Sequence, residues 1–546
     1  MTLLLALGSL AEVRAQSIVH LCDCDTTGPV QPHAACIAGA DQNSGTAAQP
    51  KRTLAGSGVN PSSAPGGSEI RYCEGGAWNH ATIFIENNPN TDAANPLSFT
   101  SYAPPTGAAG QPALNINTDS PAVVFCCFQD TVYDGGYAFR NLRFQGPGAN
   151  SRNAGLFFVS AYVTDVSFDN VRVEGFAIGV QGATERTGNP GSSLRRVTVT
   201  NSLIARNHAM GLLIAGDDLR IEGNLIEANN FSGSSFNHGL YIGASRSASR
   251  VTVRNNRFVD NSLVGGRCEG GNLTVHGQTD QLLIEHNLIA VPQATGGCYG
   301  ISLTDGGVDY VDFPTGGPEF NRRLVVRSNT IVNVGQNFLT VQSAVAPIIE
   351  NNRLISTTAT SAYGIVVENG GAEDEPGNAA RIRNNTCWFE RNTASSTCIA
   401  LRNGGANVLA NNVAWFGPTA SPTVRGFEHG AAAAWAHFDH NHVRFGSGSG
   451  NYTATHATLA QAQMAGIGLA DSSGDPRFAA APAAGNAYSL AVLADSPLRS
   501  SGSDAHMAPR DVLDCVRDAT PDKGAHEFGA TPCGVASDVL FADGFE

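Results

Sequence analysis

Four side chains in one stretch of the sequence could together move protons and hold an anion: His238, Tyr241, Arg267 and His276. An imidazole and a phenol can serve as base and acid in a proton transfer, and a guanidinium offsets the charge of a carboxylate. These groups are what β-elimination from a uronic acid needs. We therefore predict a catalytic site in which Tyr241 and His276 exchange protons, with Arg267 and His238 beside them. The alternative is that His276 is an ordinary surface residue and His238 a turn residue.

A second set of polar residues recurs once in each of several later segments, at Thr304, Gln342, Glu368 and Arg402. Side chains of this kind make the many modest hydrogen bonds that sugar hydroxyls require, so we predict that they bind neighbouring sugars of a polysaccharide. An equally open interpretation is that an exposed sheet is polar anyway. In that case Glu368 and Arg402 form only a cross-strand ion pair.

Three carboxylates follow Thr304 closely, at Asp305, Asp309 and Asp312. Carboxylate oxygens are the ligands that Ca²⁺ prefers, so these residues are candidate metal ligands, and a bound Ca²⁺ could replace Arg267 opposite the sugar carboxylate. The spacing matches no regular calcium loop. A solvated acidic loop is the alternative interpretation.

The elements that must position these residues are repeats of a short motif: apolar, any, two polar, Asn, any, apolar. Its asparagines are Asn224, Asn256, Asn287, Asn329, Asn352, Asn385, Asn412 and Asn441, and earlier degenerate copies bring the visible turns to about eleven. Asparagine tolerates the bend between two strands, and its amide can hydrogen-bond the asparagines of the next turns. We therefore predict a structural role for these asparagines rather than a place in the site.

A second short strand, usually opened by glycine, lies between the copies of the motif. Strands this short can bury their apolar faces only if each coil stacks on the next, which predicts an all-β, single-stranded solenoid. Alignment of the strands predicts one inward column, Leu212, Leu240, Leu273, Ile301, Leu339, Ile365 and Ile399. In that register Tyr241 and His276 lie on adjacent coils, about 8 Å apart between Cα atoms.

Both ends of the chain carry further motifs: Gly39-Ala-Asp41, Pro65-Gly-Gly and Gly75-Gly76 near the start, and Asp475-Pro-Arg-Phe478 and Asp522-Lys-Gly-Ala-His-Glu527 near the end. With the repeat, they resemble the secreted right-handed parallel β-helix proteins of the pectate lyase-like superfamily. The resemblance implies an N-terminal cap with the first coils over residues 17–135, a β-helix over 136–446, a C-terminal cap region over 447–530 with a short helix from Thr458, and a tail over 531–546.

The superfamily includes several activities, so the resemblance leaves the function open. We favour a lyase that cleaves a uronate-containing glycan. A hydrolase of the polygalacturonase type is the first alternative, because Asp217-Asp218 and His238-Gly239 resemble its motifs, although the aspartates follow their strand instead of preceding it. The second alternative is a glycan-binding scaffold or adhesin without catalysis.

The overall charge narrows the choice of partners. Asp and Glu number 47 against 33 Lys and Arg, a net charge of -14, which argues against binding to nucleic acid or to anionic lipid. The apolar run Leu3–Leu10 is too short to span a bilayer and, with Val13-Arg14-Ala15 after it, predicts a signal peptide over residues 1–16. We expect an exported, monomeric bacterial protein with no membrane span.

Twelve cysteines without paired metal-ligand spacing favour disulfides over a zinc site. Cys268 and Cys298 fall on adjacent coils, and Cys515 and Cys533 fall together near the C-terminus. We predict these two pairs, and the connectivity of the other cysteines stays open.

Overall fold

The computed structural model describes residues 16–529, apart from 127–132, 160–161, 183–192, 244–246, 292–296, 305–317, 359–360, 372–375, 391–394, 419–422, 431–433 and 448–449. Within these residues the chain forms three long parallel sheets and little helix. The predicted signal peptide, the C-terminal tail, Cys533 and the candidate calcium ligands Asp305, Asp309 and Asp312 lie outside the described residues.

The described strands of the first sheet number sixteen. They are Ile18–Leu21, Glu69–Cys73, Leu97–Tyr102, Asp134–Arg140, Tyr162–Asp169, Ser193–Thr200, Arg220–Glu222, Ala248–Arg254, Gln278–Glu285, Phe320–Arg322, Val325–Arg327, Ala344–Val345, Ile348–Glu350, Arg381–Arg383, Asn407–Ala410 and Trp435–Asp439.

The second sheet has fourteen described strands. They are Ala77–Asn79, Ala113–Asn115, Arg143–Gln145, Arg172–Glu174, Leu203–Ala205, Leu225–Glu227, Arg257–Val259, Leu288–Ala290, Thr330–Val332, Arg353–Ser356, Thr386–Phe389, Val413–Pro418, His442–Ser447 and Ser472–Ser473.

The third sheet has thirteen described strands. They are Ile83–Glu86, Val123–Cys126, Ala154–Val159, Ile178–Gly182, Met210–Ile214, His238–Ile242, Gly270–Val275, Cys298–Leu303, Asn337–Gln342, Ala362–Glu368, Ser396–Leu401, Val424–His429 and Asn451–Thr453. Two more strands, Leu263–Val264 and Arg267–Cys268, form an antiparallel hairpin, and the helices are Leu54–Ser57, Leu459–Met464 and the 3₁₀ turn Ala484–Asn486.

Successive coils stack strand on strand in each sheet, and in two coils the strand of the first sheet is split in two, so the all-β solenoid predicted from the repeat is confirmed. The predicted inward column is also confirmed. Leu240 pairs with Leu273, Leu273 with Ile301, and the series continues to Ile399, with each side chain 0–1% exposed. The third sheet has two strands more than the eleven visible repeats, because the first two coils precede the earliest copy of the asparagine motif.

The repeated asparagines form a continuous hydrogen-bonded ladder in the turn between the first and second sheets. Asn287 Nδ2 donates to Asn329 Oδ1 at 2.9 Å, and Asn329 Nδ2 donates to Asn352 Oδ1 at 3.0 Å. All eight predicted asparagines are 0–1% exposed. Their predicted structural role is therefore confirmed, and Asp471 ends the ladder by accepting from the backbone N–H of Asn441 at 2.5 Å.

After the last coil the chain turns back and covers the second sheet from outside. Residues 474–529 carry this segment, in which Leu490 packs in one apolar cluster with Trp388 and Ile355. Polar contacts fix it as well, because Arg353 donates to the carbonyls of Ala487 and Tyr488 at 3.2 Å. The short helix predicted after Thr458 is also present, with Thr458 as its N-cap in a capping box.

Four disulfides join described cysteines. The predicted pair Cys268–Cys298 is confirmed, with its Cα atoms 5.1 Å apart. The other three pairs are Cys22–Cys73, Cys24–Cys36 and Cys387–Cys398. Cys515 is buried in the C-terminal segment, and its pairing with Cys533 stays a prediction.

Among the described residues, no helix has the length and apolarity to cross a bilayer.

Candidate functional site

The outward face of the third sheet carries three parallel rows of side chains, one residue from each coil. We call the central one the floor row: Thr274, Ser302, Thr340, Val366 and Ala400. The first wall row precedes it along each strand: His238, Gly271, Tyr299, Asn337, Tyr363, Thr397 and Arg425. The second wall row follows each strand's last inward residue: His276, Thr304, Gln342, Glu368 and Arg402.

Although it lies on the outward face, the floor row is buried, and its five residues are only 0–5% exposed. They are small, and the longer side chains of the wall rows fold across them. Asn337 Nδ2, for example, donates to Thr340 Oγ1 at 3.1 Å. Solvent therefore reaches the partly exposed residues of the wall rows but not the floor row, and we call this face of the third sheet the groove.

Bulky residues take the place of the floor row at both ends of the groove. Tyr241 pairs with Thr274 and precedes the first floor residue, whereas Glu428 pairs with Ala400 and follows the last. Five coil spacings of about 4.8 Å separate Tyr241 from Ala400, so the groove is about 24 Å long. That length suits several sugar units.

Three of the predicted catalytic residues are in contact at the Tyr241 end. The Tyr241 ring centroid lies 5.2 Å from that of His238 and 5.3 Å from that of His276, both in edge-to-face geometry. The diagonal placement of Tyr241 and His276 on adjacent coils is as the register predicted. Tyr241 and His276 are partly exposed, and His238 is 8% exposed.

His238 is held as a neutral ring. Its Nδ1 accepts a hydrogen bond from the backbone N–H of Gly271 at 3.1 Å, which places the ring proton on Nε2. Burial, with a smaller contribution from nearby His276, lowers the pKa of His238 to about 3. A neutral, fixed imidazole can orient Tyr241, but at neutral pH it is not protonated to imidazolium and so cannot act as a general acid.

Arg267 lies apart from these three residues. It sits on the Leu263–Val264 and Arg267–Cys268 hairpin, before the strand that His276 follows. Six strand residues separate the two, which is about 20 Å of extended chain. The Arg267 guanidinium lies instead 3.5 Å from Glu269 and is 70% exposed. The structure therefore brings together His238, Tyr241 and His276 but not Arg267.

The second wall row ends in a chain of polar contacts across three coils. Gln342 Nε2 donates to Glu368 Oε1 at 2.9 Å, and Arg402 Nη1 donates to Glu368 Oε2 at 2.7 Å. The ion pair foreseen as the alternative interpretation is present. Both side chains keep partial exposure, at 20% for Glu368 and 40% for Arg402, so hydroxyl groups of a ligand can still reach them. Thr304, nearer the Tyr241 end, hydrogen-bonds Ser302 at 3.2 Å.

The first wall row contains residues that the sequence analysis did not select: Tyr299, Asn337, Tyr363 and Arg425. Each directly precedes the residue, usually glycine, at which the sequence pattern starts the strand. The alignment of the repeats that predicts the second wall row therefore also contains the positions of the first wall row. Tyr363 also lies under Arg402, with the guanidinium 5.9 Å from its ring centroid, which connects the two walls.

Among the described residues, one group of three metal-ligating side chains lies close together: Cys22, Cys36 and Cys73. All three are in disulfides. The candidate calcium ligands Asp305, Asp309 and Asp312 lie outside the described residues.

Part of the chain is similar to a known family of sequences. A sequence model described as the right handed beta helix region matches residues 132–307, which cover the Tyr241 end of the groove. The chain is a right-handed β-helix protein. The predicted resemblance to the pectate lyase-like superfamily is confirmed at the level of this fold. No curated protein sequence matches the β-helix chain.

Solved structures similar to this chain include a tailspike protein, a pectate lyase and a surface adhesin. The Dettilon tailspike protein is 14% identical, with 68% of this chain and 62% of the tailspike covered and a TM-score of 0.43. The pectate lyase Pel9A is 13% identical, with 94% and 97% covered and a TM-score of 0.32. PfbA, a surface adhesin of Streptococcus pneumoniae, is 10% identical, with 72% and 88% covered and a TM-score of 0.37. The chain thus spans about three fifths of the tailspike, and none of the three assigns an activity to this β-helix.

Proposed function

We propose that this β-helix protein is exported and cleaves a uronate-containing polysaccharide by β-elimination on the outward face of its third sheet. The observation that supports this most is the contact of Tyr241 with both His238 and His276 at the end of a polar groove. Proton-transfer groups stand there beside a surface long enough for several sugars. The disulfides favour an oxidising compartment, in agreement with export.

The polysaccharide lies along the groove in this proposal. Gln342, Glu368 and Arg402 hydrogen-bond the hydroxyl groups of sugars that lie away from the reacting bond. The Tyr363 ring offers an apolar face to a pyranose ring, as aromatic residues do in sugar sites. Because these contacts are distant from Tyr241, they contribute to substrate affinity more than to the chemical step.

At the Tyr241 end, His276 takes the proton from C5 of the uronate. The electron pair of that C–H bond forms the C4–C5 double bond, the bond from C4 to the glycosidic oxygen breaks, and the Tyr241 hydroxyl donates its proton to that oxygen. His238 touches Tyr241 and acts as a positioning residue, since it stays neutral. Arg267 lies on the hairpin before the strand that His276 follows, so it does not offset the sugar carboxylate in this proposal.

The test is turnover of uronate polymers, followed by the ultraviolet absorbance of the unsaturated product. Tyr241→Phe and His276→Gln each remove one proton-transfer group with little change in volume. We expect each to lower kcat by about 100-fold or more. Met464→Gln is the control, because Met464 is 83% exposed on the Leu459–Met464 helix, and we expect it to be fully active. Turnover at the wild-type rate in both groove variants would contradict the catalytic assignment.

Glycan binding without catalysis is the second candidate function. It is favoured by the distance of Arg267 from Tyr241 and by the Glu368–Arg402 pair, which acts in recognition and not in proton transfer. Polymer binding with no unsaturated product, lost in a Glu368→Gln and Arg402→Gln double variant, would identify this function.

The hydrolase alternative finds less support in the contacts of its two aspartates. Asp218 forms an ion pair with Arg250 at 2.5 Å, and Asp217 accepts a hydrogen bond from the Ser249 hydroxyl. Both contacts reach the neighbouring strand of the first sheet, away from the groove. Release of reducing ends from a neutral polymer without an unsaturated product would favour the hydrolase.

A further inference from the structure

A cavity of about 500 Å³ opens on a different face, over the N-terminal strands of the second sheet. Its floor is the outward row Ala113, Arg143, Arg172 and Leu203, which come from four successive coils. Residues 30–33 of the N-terminal cap, with His33 among them, and the loop that carries Gln111 form its walls. The volume is that of a small-molecule site, and the groove described above lies on another sheet.

The walls of the cavity are closely packed. Gln111 Nε2 donates to the carbonyl of Asn170 at 2.7 Å and so ties the loop to the turn of another coil. Gly75 adopts φ 69°, and a Cβ added there would lie 2.7 Å from the Cβ of His33. A side chain at this position would clash with His33, so the turn at Gly75 packs closely against the wall of the cavity.

The charge in the cavity is positive in a chain whose net charge is -14. Arg143 and Arg172 line it, and no Asp or Glu does. Behind them lies Glu174, 2% exposed, which is 3.0 Å from Arg143, 3.5 Å from Arg172 and 2.5 Å from Arg206. One buried carboxylate thus serves three guanidiniums, and within the described part of the chain only Arg206 has a second acidic neighbour, Glu227 at 3.9 Å.

The two lining arginines are incompletely hydrogen-bonded. Among the described residues, Nε of Arg143 is buried and makes no hydrogen bond, and Nε of Arg172 reaches Glu174 only through the ion pair at 3.5 Å. Arg143 uses Nη2 for both Glu174 and Gln145, at 3.0 and 3.1 Å. Burial, together with the nearby charges of Arg172 and Arg206, outweighs Glu174 and lowers the pKa of Arg143. A second anion would therefore stabilise the cluster.

Another arginine in the same row shows what a completed set of contacts looks like. Arg353 stands further along the row, where residues 474–529 cover the sheet, and it is 5% exposed. Its guanidinium donates to Thr330 Oγ1 and to the carbonyls of Ala487 and Tyr488. Over Arg143 and Arg172 no described segment supplies such acceptors, and the cavity occupies that place.

We propose that this cavity is a binding site for a carboxylated monosaccharide unit, separate from the groove. The planar guanidiniums of Arg143 and Arg172 match a carboxylate, which each can bind through two N–H groups. The side-chain amides of Gln111 and Asn170 line the same cavity, and amide groups of this kind can hydrogen-bond sugar hydroxyls. The proposal goes beyond the proposed function and stands even if the groove has no activity.

The experiment is calorimetric titration of the full chain with glucuronate, with glucose as the ligand that lacks the carboxylate, and with sulfate as a tetrahedral anion. We expect glucuronate to bind and glucose not to bind. Arg172→Gln should weaken glucuronate binding by about 10- to 100-fold, and Arg172→Lys should also weaken it because lysine lacks the fork. Arg220→Gln, a change at an exposed arginine paired with Glu222, is the matched control.

Each other outcome counts against the proposal. Equal affinity for glucose and glucuronate would rule out carboxylate recognition, and binding of sulfate alone would make the site one for tetrahedral anions. Unchanged glucuronate affinity in both Arg172 variants would place the binding elsewhere. The groove variants Tyr241→Phe and His276→Gln should bind glucuronate as the wild type does. Absence of glucuronate binding and absence of lyase activity are therefore independent results.

Discussion

Replacing Asn329 by aspartate tests what holds the coils in register. The Asn329 side chain makes five hydrogen bonds in the ladder. Its Oδ1 accepts from the backbone N–H and the side chain of Asn287, and its Nδ2 donates to the carbonyls of Ile284 and Arg327 and to Asn352 Oδ1, all at 2.9 to 3.1 Å. Aspartate has the same shape but cannot donate. Three acceptors would then face a carboxylate oxygen in a site that is 0% exposed.

The magnitude follows from these contacts. Each lost hydrogen bond costs about 1 kcal/mol, so the three donor contacts account for about 3 kcal/mol, and burial of an ionised carboxylate adds to this. Asn329→Ala removes all five bonds and should cost about 5 kcal/mol. Both values are a large part of the stability of a typical domain, about 5 to 15 kcal/mol. The cost of the aspartate should fall at acid pH, because the protonated form is neutral and can donate one bond.

The assay is urea denaturation followed by far-ultraviolet circular dichroism at pH 7 and pH 4. Asn87→Asp is the control, since Asn87 is exposed, and we expect its midpoint to match the wild type. If Asn329→Asp unfolded at the wild-type midpoint at pH 7, hydrogen bonding along the ladder would not be what stabilises the stack. Packing of the apolar columns alone would then suffice.

Two further predictions concern stability. Burial raises the pKa of the Asp471 carboxyl from 3.8 to about 7, so the folded protein holds this proton more tightly than the unfolded chain does. The contribution of this group to the free energy of unfolding is therefore lost as the pH rises from about 4 to about 7. Asp471→Asn should therefore unfold like the wild type at pH 4 and be more stable at pH 8, by up to about 4 kcal/mol, and equal midpoints at both pH values would refute this. Replacing both Cys268 and Cys298 by serine opens a loop of 30 residues and should lower the free energy of unfolding by about 3.5 kcal/mol, measured by thermal unfolding. Dithiothreitol should lower the melting temperature of the wild type by cleaving this bond, an effect that the double variant should lack.

Much of the fold was open to prediction because its interactions repeat. The asparagine ladder and the inward leucine and isoleucine column each use one residue type at one place in every coil, so the sequence displays them as a period. The Cys268–Cys298 pair followed from the same register. The repeat also predicts that Tyr241 and His276 are neighbours, since residues one coil apart are adjacent in a stacked sheet.

Features that do not repeat needed the tertiary structure. Arg267 is close to His276 in sequence and on the same coil, but it sits on the hairpin, and the full length of the strand Gly270–Val275 lies between them. The burial of the floor row was likewise hidden, because it depends on how the wall residues fold over small neighbours, as Asn337 does over Thr340.

The cavity over Arg143 and Arg172 is the clearest case. In the sequence these are two arginines among many, 29 residues apart. Only the fold brings the N-terminal cap over one end of the second sheet and the C-terminal segment over the other, leaving the space between uncovered. The sequence by itself determined the stacking, because stacking is local and periodic. The tertiary structure decided where that stack is covered and where it is open, because covering segments come from the two ends of the chain and obey no repeat.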